Sequence, residues 1–124
     1  IIWILRKGRG NKEILQIIDA YLRSNPDELA ISTITVAEIF KNMREDEVFT
    51  SELLLQKHKI IPVSYQIAKL AGYYWQTNKA KLNNISLADC LIAATAKDNN
   101  GKLMTLNDRH YSMQDIEVVN PFKK

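Results

Sequence analysis

Four short apolar runs, Leu29 to Ser32, Lys59 to Val63, Leu103 to Leu106 and Ile116 to Val119, read as strands, and what lies between them constrains the fold most. Helical segments too long for hairpins separate them, so successive strands are joined by crossovers and run parallel. A parallel sheet buries both faces under helices. The expected class is therefore α/β, with three layers and a mostly parallel central sheet. In such sheets, functional groups gather beyond the carboxyl ends of the strands.

Local signals set the element ends. Asn11 is placed to cap a helix whose apolar face runs Ile14, Leu15, Ile17, Ile18, Tyr21 and Leu22, and Asn25-Pro26 ends it. Thr33 to Thr35 leads into a helix that runs to about Met43, and a more acidic helix covers Asp46 to Lys57. Pro62 lacks the amide that a central strand needs, so the Lys59 to Val63 strand belongs at a sheet edge. Ser64 caps a helix that turns Ile67, Leu70, Ala71, Tyr74 and Trp75 inward. After a polar loop around Asn83-Asn84, Ser86 caps another helix, and Gly101 sits where its C-terminus wants a left-handed residue. No repeat or linker divides the 124 residues, which are expected to form one domain, 1–124. The chain starts abruptly inside an apolar run, Ile1 to Leu5, and is expected to lack a short preceding segment.

Composition narrows the chemistry. Cys90 stands alone, which rules out an internal disulfide, and with His58 and His110 the only histidines no Cys/His zinc site of the usual spacing can be drawn. A reducing, cytoplasmic setting fits. No apolar run approaches the roughly 20 residues of a membrane span. Seventeen Lys and Arg against fourteen Asp and Glu leave a net charge of +3, which permits a polyanionic partner without demanding one.

Oxygen-bearing side chains from three segments fall where chemistry is expected. Glu38 follows the Leu29 to Ser32 strand, Asp89 opens the helix after Ser86, and Asn107 and Asp108 follow the Leu103 to Leu106 strand. Each has a plain structural reading. Thr35 to Glu38 has the spacing of a capping box, Ser86 to Asp89 has it with Asp in place of Glu, and Asn-Asp after a strand is a turn. Taken singly, these plain readings lead. Convergence favours function, because a parallel sheet brings all three segments to one rim, and clustered carboxylates are tolerated where a cation offsets their repulsion. Oxygen ligands without Cys or His suit Mg²⁺ or Mn²⁺.

The segments Ile31 to Ile39 (ISTITVAEI), Ile85 to Ala96 (ISLADCLIAATA) and Leu103 to Tyr111 (LMTLNDRHY) resemble, in order and spacing, the signature segments of PIN-domain ribonucleases. The likeness is strongest to the VapC-type toxins of toxin-antitoxin pairs, and it extends over essentially the whole chain. It implies a three-layer PIN-like fold and a hydrolase, an endoribonuclease dependent on Mg²⁺ or Mn²⁺. It maps the metal-holding role onto Glu38, Asp89 and the Asn107/Asp108 pair, with Glu38, Asp89 and Asp108 as the catalytic acids. It also implies an RNA substrate, a cognate antitoxin and a homodimer. The chain departs from the family in two places. The first acidic residue, an Asp shortly before an apolar helix resembling Ile1 to Leu5, is absent, and Asn107 stands at the motif position with Asp108 after it. The alternative is a catalytically inactive PIN-like module that binds RNA or protein.

Arg6, Lys7, Arg9, Lys41, Arg44, Lys79, Lys81 and Arg109 flank the rim segments and are candidate phosphate contacts. Tyr74 and Trp75 fall on an apolar helix face and are assigned to the core, whereas His110 and Tyr111 lie near the rim. Phe40, Met43, Val48, Phe49 and Leu53 to Leu55 present more apolar surface than one small sheet covers, which points to a partner's amphipathic segment or a dimer seam.

Overall fold

Alternate residues of the strands point into two separate cores. In β2 (Leu29–Ser32), Leu29 and Ile31 pack into one cluster and Ala30 into the other. Leu103 and Met104 of β4 (Lys102–Thr105) divide in the same way, as do Val118 and Val119 of β5 (Val118–Val119). A period of two with apolar residues on both sides marks a sheet buried on both faces. The computed structural model describes residues 3–6, 29–41, 43–80, 85–105, 111, 113 and 115–119, and it completes this sheet with β1 (Trp3–Arg6) and β3 (Lys59–Ile61). Strand order is β3-β2-β1-β4-β5, and each pairing is parallel.

Helices α1 (Thr33–Lys41), α2 (Val48–Leu55), α3 (Tyr65–Asn78) and α4 (Leu87–Asp98) form the outer layers. On one face, α3 and α4 contribute Ile67, Ala71, Tyr74, Cys90 and Ile92 to the core around Ala30 and Leu103. Small side chains at Cys90, Ala93, Ala94 and Ala96, all fully buried, let α4 lie close against β1 and β4. On the other face, Ile39 of α1 and Leu55 of α2 pack with Leu29, Ile31 and Met104. The α/β class and the layering are those expected. So is the edge position of β3, which ends at Ile61, just before Pro62.

Several local expectations are corrected. The run Ile1 to Leu5, likened to an apolar helix, instead supplies β1, which pairs with both β2 and β4. α1 begins directly after β2, because the Ser32 hydroxyl accepts the Ile34 amide at 3.1 Å and takes the cap that Thr35 was expected to provide. At the end of α4 the left-handed residue is Asn100 (φ 54°), not Gly101. Gly101 N–H donates to the Ala96 carbonyl at 2.8 Å and Asn100 N–H to that of Lys97 at 3.1 Å, the paired bonds of a Schellman motif with Asn at its left-handed position. On α3 the buried stripe is Ile67, Ala71, Tyr74 and Asn78, and Trp75 stands 39% exposed. The Asn11 helix and the Asn83-Asn84 loop lie outside the described residues. No helix among the described residues is long and apolar enough to cross a membrane.

Candidate active site

Because α1 starts one residue after β2 ends, its N-terminus lies at the carboxyl edge of the sheet. Thr35 is fully buried inside the helix, and its hydroxyl finds no hydrogen-bond partner among the described residues. Glu38 therefore sits in the second turn rather than at the cap, and the capping-box reading of this residue is overturned. α1 lies between the two cores: Ile34 packs into the cluster of α3 and α4, whereas Val36 and Phe40 pack into the other. Glu38 is half-buried one turn beyond Ile34, on the line of the helix that faces α4.

Asp89 keeps its capping box and gains a third contact. The Ser86 hydroxyl accepts the Asp89 amide at 3.0 Å, and Asp89 Oδ2 accepts the Ser86 amide at 3.1 Å. Asp89 Oδ1 accepts the hydroxyl of Tyr111 at 3.3 Å. Tyr111 comes after β4, so this bond fixes Asp89 at the carboxyl edge of the sheet. The carboxylate is 1% exposed, and burying a charge is tolerable where hydrogen bonds and a helix N-terminus offset the lost hydration. A hydrogen-bonded carboxylate can still ligate a cation, and metal-ligating carboxylates are commonly hydrogen-bonded in this way. Capping and ligation are compatible at this residue. Its neighbour Cys90 is fully buried, and burial first, then the Asp89 charge, push its thiol up to about 11. Protonated at neutral pH and shut off from solvent, it is withheld as a nucleophile.

α1 and α4 pack against each other, so the helices that carry Glu38 and Asp89 touch and both begin at the same sheet edge. Asn107, Asp108, Arg109 and His110 lie outside the described residues, and among the described residues no three His, Cys, Asp or Glu side chains group closely enough to hold a metal. Of the candidate phosphate contacts, Arg44 is engaged with Glu47 at 3.3 Å and Asp46 at 3.7 Å, and Lys79 Nζ lies 4.9 Å from the centre of the Trp75 ring. Lys41 is exposed at the end of α1. Lys7, Arg9, Lys81 and the side chain of Arg6 lie outside the described residues. On α2, Phe49 is 73% and Leu53 49% exposed, whereas Phe40, Met43 and Leu55, expected on the same apolar surface, pack instead into the core around Leu29 and Ile31. The contact between Tyr111 and Asp89 spans 22 positions, and no local pattern signals it.

With this geometry in hand, likeness to known proteins decides the family. Residues 1–116 match the PIN domain. The chain belongs to the PIN-domain family. This PIN domain is 38% identical over 85 residues to Ribonuclease VapC10 of Mycobacterium tuberculosis, in a match that covers 68% of this chain and spans 64% of the length of that relative. It is 30% identical over 97 residues to Ribonuclease VapC19 of the same organism, covering 78% of each. Its fold matches DNA-bound VapBC from Salmonella typhimurium with a TM-score of 0.78 at 19% identity, and a toxin-antitoxin complex from Klebsiella pneumoniae with 0.75 at 22%, each over 98% of both chains. At those identities the solved structures speak to the PIN fold alone.

Proposed function

We propose that this PIN domain is an endoribonuclease dependent on Mg²⁺ or Mn²⁺ and the toxin of a toxin-antitoxin pair. The reading rests on one observation above the others: a capped, buried Asp89 carboxylate at the carboxyl edge, on a helix packed against the one that carries Glu38. The donors are hard oxygens, a set that fits Mg²⁺ or Mn²⁺. Glu38, Asp89 and Asn107 or Asp108 would hold the ion. Bound there, a divalent cation lowers the pKa of a water and offsets the charge that grows on the phosphoryl oxygens.

The chain's own groups supply the rest. Asp89 presents a fixed anionic oxygen, because Ser86 and Tyr111 already restrict its rotation. Glu38 orients the attacking water and takes up its proton at a carboxylate oxygen. Lys41, exposed on the same helix as Glu38, is placed to meet the RNA backbone. In the toxin reading, a cytoplasmic antitoxin or a second copy of the chain covers the exposed Phe49 and Leu53. The relatives named ribonucleases support an RNA substrate.

Cleavage of RNA by the purified chain, followed with and without Mn²⁺, tests the proposal. Metal-dependent cleavage that Asp89→Asn lowers at least about 100-fold is expected. Equal rates for the two proteins would end it.

A further inference from the structure

Asp89 is nearly devoid of solvent contact, so the orientation of its carboxylate is set by what the protein places around it. Among the groups that hold its oxygens are two from different parts of the chain. The Ser86 amide, three residues earlier, engages Oδ2 at 3.1 Å, and the Tyr111 hydroxyl, 22 residues later, engages Oδ1 at 3.3 Å. The first belongs to the helix itself and would be present at any helix capped in this way. The second does not. It brings Tyr111, which follows β4 in the chain, onto the start of α4.

We propose that the Tyr111 hydroxyl is a positioning group: it fixes the plane of the Asp89 carboxylate, so that a divalent cation meets its oxygens already in place. This rests on the reading of Asp89 as a metal ligand. Tyr111 is a neutral donor, so it leaves the carboxylate its charge while removing its freedom to rotate. Its ring packs into the core of α3 and α4 with Cys90 and Met113, which holds the hydroxyl in place. Outer contacts of this kind commonly change metal affinity about 10- to 100-fold when removed.

Tyr111→Phe deletes the hydroxyl and keeps the ring. Mn²⁺ binding to the whole chain, measured by calorimetry without RNA, is expected to weaken about tenfold in Tyr111→Phe. The Mn²⁺ concentration for half-maximal RNA cleavage should rise by the same factor, with cleavage largely restored at saturating Mn²⁺. Tyr111→Leu, which removes the ring as well, separates packing from positioning. If Tyr111→Phe binds Mn²⁺ as the parent does and only Tyr111→Leu is impaired, the hydroxyl has no positioning role. Should Tyr111→Phe lose affinity only in proportion to a loss of folded protein, seen in the thermal transition, the proposal also fails. Asp89→Asn is the control on the underlying site: if it binds Mn²⁺ undiminished, Asp89 is not a ligand and both readings fall together. If Asp89→Asn abolishes binding while Tyr111→Phe leaves it intact, the positioning role alone is overturned.

Discussion

The phenol of Tyr74 donates to Oδ2 of Asp115 at 2.9 Å and ties the middle of α3 to the segment that precedes β5, 41 positions later. Tyr74 is 3% exposed, and burial first, then the hydrogen bond to Asp115, raise its pKa above the usual 10.0. The folded chain therefore keeps this proton where the unfolded chain has lost it. The stabilising contribution is present in full below about pH 10 and is lost as pH rises through the folded value. Urea midpoints measured from about pH 9 to about pH 11 are expected to fall more steeply for the parent than for Tyr74→Phe. At neutral pH the same substitution is expected to cost about 1 kcal/mol, since Asp115 itself is exposed.

Cys90 offers a second test in the alkaline range. Its thiol is pushed from 9.0 to about 11 and has no solvent contact. A thiol-specific reagent at about pH 8 is expected to leave the folded chain unmodified and to react promptly after denaturation. Reaction at comparable rates in both states would show that the start of α4 opens freely.

Where a single residue and its near neighbours decide the outcome, the sequence is legible. Ser64 and Ser86 cap as expected because their acceptors serve amides three residues on, and Pro62 marks the edge strand because it lacks an amide. Trp75 is misjudged because it adjoins Tyr74 in the sequence, yet about 100° of helical rotation turns it out of the stripe through Ile67, Ala71 and Tyr74. Thr35 is misjudged because α1 starts without a gap after β2, which hands the cap to Ser32. The site is legible as three separate segments, and only the sheet order and the packing of α1 on α4 join two of them. What escapes is the contact from Tyr111, whose partner lies 22 positions earlier, on a helix that precedes β4.

The left-handed turn after α4 supplies a third prediction. Asn tolerates φ 54° better than other side-chain-bearing residues, and Gly tolerates it best. Asn100→Ala is expected to lower stability by about 1 kcal/mol, and Asn100→Gly to leave it within about 0.5 kcal/mol of the parent. Chemical denaturation of the three proteins decides it. An Ala variant as stable as the parent would mean that the turn relaxes out of the left-handed region.

The two serine caps provide a matched pair that separates stability from chemistry. Ser64 accepts the amide of Ile67 at 3.2 Å and Ser86 that of Asp89 at 3.0 Å, so each hydroxyl satisfies one amide of its helix. Replacing either by Ala is expected to cost about 1 kcal/mol. Only at Ser86 does the capped residue carry a side chain assigned to the reaction. Loss of that hydroxyl frees the Asp89 amide and loosens the turn whose backbone holds Oδ2. RNA cleavage at saturating Mn²⁺ is therefore expected to fall about tenfold or more in Ser86→Ala and to stay near the parent rate in Ser64→Ala, although unfolding midpoints shift equally. Equal losses of activity in the two variants would trace the effect to stability alone and would separate the capping of α4 from the proposed chemistry.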